Sequence, residues 1–121
     1  MDLVSFITTE ESDDLIVSFA IDDPTALGHI RSLTLLWTPK YDHLRLPEER
    51  GVSVSFDRFP ADEEDFVVEA RYERDGRTVR LVTRQRTYEL DVQKVDRPEL
   101  AAMHKLFGKM ASLGGIRYSR V

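Results

Sequence analysis

Cysteine is absent from these 121 residues. That removes disulfides, thiolate metal ligands and cysteine nucleophiles together, and it fits a reducing compartment. Histidine is scarce. His29, His43 and His104 are the whole complement, none four residues from another and none in a His-Glu-x-x-His arrangement, so neither a metal nor another cofactor is expected. No apolar stretch approaches the roughly 20 residues that span a bilayer. The start Met1-Asp2-Leu3-Val4-Ser5 lacks the basic and then apolar pattern of a secretory leader, so the expectation is a cytoplasmic protein of bacterial type, away from membranes. Gly-x-Ser-x-Gly, a phosphate-cradling glycine loop and a dinucleotide fingerprint are all missing. Gly114-Gly115 follows a helical pattern rather than preceding it, which is the wrong dipole end for phosphate. No catalytic residue is assigned.

Hydrophobic residues make up 41 % and charged residues 32 %, enough apolar content for one folded domain over 1–121 but not two. Strand patterns run over 3–8, 15–21, 30–37 and 52–56. The near-continuous apolar run ending 30–37 predicts a central strand buried on both faces. Asp75-Gly76 between 66–74 and 77–85 signals a two-residue turn with positive φ. That turn sets Tyr72 opposite Val79 and Ala70 opposite Leu81, with Phe66, Val68, Ala70 and Tyr72 on one face. A further strand at 87–95 completes a three-stranded meander. Asp96-Arg97-Pro98-Glu99 reads as a helix start with a capping Asp, and Leu100, Met103, Leu106, Phe107 and Met110 fall on one face of a helix over 97–113. A last short strand or packed tail follows at 116–121. The expected fold is α+β: a curved, mainly antiparallel sheet of six to seven strands with one C-terminal amphipathic helix packed on one face. The expected core holds Leu33, Leu35, Val54, Val68, Leu81, Leu90, Leu100, Met103 and Phe107.

Charge is uneven along the chain. Residues 1–70 carry 16 acidic and 5 basic side chains, whereas 71–121 carry 6 acidic and 12 basic ones. Side-by-side acidic and basic strands that neutralise each other account for this more economically than a two-signed binding surface. The acidic run Asp62-Glu63-Glu64-Asp65 lacks the spacing of a calcium loop and reads as solvated loop. The arginine cluster is the most informative feature. Arg71, Arg80 and Arg84 alternate onto one face of the predicted hairpin, where Arg suits bidentate contact with carboxylate or phosphate. No stacking aromatic shares that face, which disfavours nucleic acid. The segment 37–47 places Trp37, Tyr41, Leu44 and Leu46 in a proline-broken loop, a composition that anchors interfaces or folds back as a lid. His43 stands beside Asp42 there. His104 sits on the rim of the helix's apolar face, where a lone histidine shields the core edge more often than it binds a ligand.

The functional expectation is a non-catalytic binding module that sequesters or neutralises a partner protein through Arg71, Arg80, Arg84, Trp37, Tyr41 and His43. Small acidic bacterial immunity proteins resemble the chain in size and charge only. The alternative is a small-molecule binder or enzyme with a site assembled from His43, Asp42 and the arginines. The third is phosphate or nucleic-acid binding by the arginine face. A stripe of small residues, Ala101, Gly108 and Ser112, either lets another backbone approach the helix, that of the sheet or of a second copy in a homodimer, or reflects simple tolerance of the glycine.

Overall fold

The computed structural model describes residues 1–26, 28–39, 50–60 and 63–121. Eight strands and one helix follow in the order β1 (Asp2–Glu11), β2 (Leu15–Asp22), β3 (Ile30–Trp37), β4 (Ser53–Phe56), β5 (Val67–Glu73), β6 (Thr78–Thr83), β7 (Thr87–Asp91), α1 (Arg97–Gly114) and β8 (Arg117–Arg120). The strands make one sheet in the order β4-β3-β2-β1-β7-β6-β5-β8. The architecture is α+β, mostly sheet. The expected six to seven antiparallel strands become eight in a mixed sheet, because β1 runs parallel to β7 and β8 runs parallel to β5. The second of these is a crossover through α1, and local sequence patterns carry no information about where a crossover lands.

The sheet curls on itself. Val54 N–H donates to the Asp65 carbonyl at 3.0 Å, and Val67 N–H to the Val52 carbonyl at 2.8 Å, so β4 meets the head of β5. Phe56 of β4 packs edge-on to Tyr88 of β7 at 5.9 Å. The helix contacts β1, β2 and β8. Its apolar stripe of Leu100, Met103, Leu106, Phe107 and Met110 is fully buried, as its spacing requires. β1 pairs with β7 only at Asp2 and Leu3 and then diverges. Beyond that point Ile7 N–H donates to Glu99 Oε1 of the helix at 2.7 Å, so a helix side chain satisfies a strand edge that has lost its neighbour. Asp96 does precede the helix with extended backbone, but its side chain makes no cap. Gly115 ends the helix at φ 77°, the left-handed conformation glycine adopts without strain.

Two burial expectations are corrected. β3 is not covered on both faces: Leu33 and Leu35 are buried, but Ile30 is 47 % exposed, as in an antiparallel sheet wet on one side. Val68 is 37 % exposed, while Val67 is buried in its place. An irregularity in the β5–β6 ladder between Val67 and Glu69 resets the alternation, so the face read from 70 and 72 does not extend back to 68. The other eight expected core residues are buried.

The β5–β6 register pairs Tyr72 with Val79 and Ala70 with Leu81. The turn that closes it differs from the expected one. Glu73 pairs with Thr78, Arg77 N–H donates to the Arg74 carbonyl at 3.3 Å, and the left-handed residue is Arg77 at φ 48°, not Gly76. Arg77 is held there by its guanidinium, which donates to the Val95 carbonyl at 3.1 Å. A Cβ on Gly76 would meet only Thr78 side-chain atoms, at 3.6 and 3.8 Å, an ordinary contact. Gly76→Ala should therefore change stability by no more than about 0.5 kcal/mol in chemical denaturation, the range of surface substitutions. A loss of several times that would restore a positive-φ role for Gly76.

Candidate functional site

The outer face of the β5–β6 hairpin carries two of the sequence candidates. Arg71 lies directly opposite Arg80 in the ladder. Arg71 Nε is 3.6 Å from Glu73 Oε1, and Arg80 has Glu89 of β7 as its other cross-strand neighbour. Arg84 lies past the end of β6, where its guanidinium stacks over the Phe66 ring at 4.4 Å. Trp37 ends β3 half-buried against the core, and a Cβ on Gly114 would come within 2.9 Å of its ring. Trp37 thus packs against the last turn of α1. Tyr41 and His43, together with Asp42, Leu44 and Leu46, lie outside the described residues.

Opposite charges do meet across the fold, as the uneven distribution suggests. Glu11 of acidic β1 accepts from Lys109 and stands 3.4 Å from Lys105 of the helix. The Lys109 hydrogen bond, with both lysine charges, holds Glu11 below the usual carboxylate range. Glu63 pairs with Arg86, whose guanidinium also lies 3.6 Å over the Phe59 ring. Asp65 departs from the solvated loop expected for 62–65. It is 6 % exposed and accepts from Phe66 N–H at 2.9 Å, Gln85 N–H at 3.1 Å and the Thr83 hydroxyl at 2.6 Å. This is a structural hub tying the head of β5 to the turn after β6.

The strongest candidate site is one the sequence did not suggest. A cleft of about 650 Å³ opens between α1 and the β5–β8 pair. Its four cations come from three places in the chain: Arg74 after β5, Arg97 and Lys105 on α1, and Arg120 on β8. No acidic side chain among the described residues lines it. Among the described residues Arg74, Arg97 and Arg120 have no carboxylate within ion-pair distance. Parallel pairing assembles the cleft, since it sets Tyr72 beside Arg120 and lets Arg74 N–H donate to the Val121 carbonyl at 2.9 Å. The helix contribution was legible in outline, because residues 97, 101, 104, 105 and 108 share one face. The opposing wall was not, because it depends on the crossover.

His104 lies at the base of the cleft. Its Nδ1 is hydrogen-bonded to the Tyr118 hydroxyl, and Tyr72 meets its ring edge-on at 4.6 Å. Burial, reinforced by the charge of Arg120, pushes the imidazole down to about 4. Burial likewise pushes the Tyr118 phenol up to about 12. Both groups are therefore neutral around pH 7, and the cleft's positive charge resides in its arginines and lysine. A volume of this size fits a small ligand or a few side chains of a larger one. Among the described residues no three metal-ligating side chains converge, and no helix is long and apolar enough to cross a membrane. No protein-family model, curated protein or solved structure matches the chain.

Proposed function

We propose that the chain is a non-catalytic binding module that captures an acidic partner protein, with the partner's carboxylates held in the cleft between α1 and the β5–β8 pair. The observation that carries this reading is the set of three arginines, Arg74, Arg97 and Arg120, facing one cleft without intramolecular carboxylate partners among the described residues. Guanidinium groups that line one cleft can grip a carboxylate bidentately. A chain of net charge −5 that concentrates cations in one place keeps a local attraction that its overall charge opposes. The chemistry of the base supports binding over catalysis. An imidazole at about 4 and a phenol at about 12 leave His104 and Tyr118 outside the range useful for proton transfer at neutral pH. Tyr72, the aromatic in the cleft, is buried and turned to His104, so it offers no free face for a nucleobase.

The test is a titration of the chain with an acidic peptide, and separately with short single- and double-stranded DNA, at two salt concentrations. Arg97→Glu/Arg120→Glu should weaken peptide binding at least tenfold while leaving the circular dichroism unchanged, since both side chains are exposed. Peptide binding indifferent to the double reversal, or DNA binding that survives physiological salt, would overturn the reading.

A further inference from the structure

We infer that the captured segment binds as an added β-strand on the outer edge of β8, its alternate acidic side chains reaching into the cleft. This rests on the cleft reading and names how the partner is held. β8 ends the sheet on one side. The opposite end, β4, is closed by its hydrogen bonds to residues 65 and 67. In β8 the peptide groups of 117, 119 and 121 turn toward β5: Val121 N–H donates to the Tyr72 carbonyl at 2.8 Å, and the Val121 carbonyl accepts from Arg74. Strand alternation then sends the N–H and C=O groups of Tyr118 and Arg120 the other way. No hydrogen bond among the described residues reaches them. An edge with aligned, unused donors and acceptors is a template for an extended segment.

Charge selects the occupant. Tyr118 and Arg120 share the side of β8 that faces the helix and the cleft, and Arg117 projects from the other side, 3.6 Å from Glu69. Two copies of β8 paired about a twofold axis would bring two cationic edges together, each with Arg117 and Arg120, which like-charge repulsion disfavours. An acidic strand in the same place sets carboxylates beside Arg120, with Arg74, Arg97 and Lys105 beyond it. Main-chain pairing supplies affinity that does not depend on the partner's sequence, and the cleft supplies the preference for acid.

The experiment uses the full chain and two eight-residue peptides of alternating glutamate and valine, one ordinary and one N-methylated at every amide. Both carry the same charge, but only the first can donate to β8. The ordinary peptide should bind at least tenfold more tightly and should slow hydrogen exchange at the Tyr118 and Arg120 amides. Equal binding of both peptides, with those two amides still exchanging freely, would overturn strand addition while leaving the cleft reading intact. Binding of neither peptide would overturn both. Protection of the two amides without peptide, accompanied by a doubled mass in light scattering, would assign the edge to a second copy and overturn the acidic-segment proposal. Arg120→Pro should bind the ordinary peptide several-fold more weakly than Arg120→Ala, because the two share the loss of the guanidinium and only the proline lacks the outward N–H. Equal affinities for these variants would count against strand addition.

Discussion

Phe107→Ala should cost about 3–5 kcal/mol, the range for removing a fully buried aromatic ring, and lower the melting temperature by roughly 10–20 °C. Phe107 is fully buried and joins three elements: it packs on Phe19 of β2 at 6.3 Å and on Tyr118 of β8 at 5.4 Å from its own helix. The sheet cannot collapse into the space the ring leaves without moving α1, so the cavity persists. Leu113 on the same helix is 59 % exposed. Leu113→Ala should therefore change stability by no more than about 0.5 kcal/mol. Chemical denaturation of both variants checks the contrast, and comparable losses would mean that the helix presents a different face to the sheet.

The second large effect is expected at Asp65. Asp65→Ala removes a buried acceptor from three donors and leaves Phe66 N–H, Gln85 N–H and the Thr83 hydroxyl without it. Hydrogen bonds to a charged group contribute about 1.5–3 kcal/mol each and do not add fully, so a loss of about 3 kcal/mol is expected. Thr83 also accepts from Arg86 N–H at 3.0 Å, so the disturbance reaches the turn that leads into β7. Asp65→Asn keeps one acceptor oxygen and should lose roughly half as much. An unchanged denaturation midpoint for the alanine variant would show that water replaces the carboxylate and that the hub carries no stability.

These two residues differ in how far the sequence announced them. Phe107 follows from helical periodicity alone, since its place in the series 100, 103, 106, 107, 110 leaves one face to bury. Asp65 looked like the end of a solvated acidic run, and nothing near it in sequence marks Thr83 and Gln85 as its donors. The hairpin shows a similar division within one element. The pairing of Tyr72 with Val79 is readable from alternation, but the conformation of the turn is not. Arg77 takes the left-handed residue's place because its side chain reaches Val95, a contact made only once β7 and the helix are in position.

The candidate site moved for the same reason. Arg71 and Arg80 were placed side by side by local alternation, and they do stand opposite each other. Each also has an acidic neighbour in Glu73 or Glu89. The cleft that concentrates charge draws on residues 74, 97, 105 and 120, and the arginines among them have no carboxylate partner among the described residues. Local periodicity determined the strands, the helix, its buried face and the register of the hairpin, because those depend on side chains two to four positions apart. Tertiary structure alone decided that β8 crosses over to lie parallel to β5, which strand edge is left unpaired and which cations converge. Those outcomes depend on how α1 packs across the curled sheet, a choice set by the summed burial of the core rather than by any short stretch of chain.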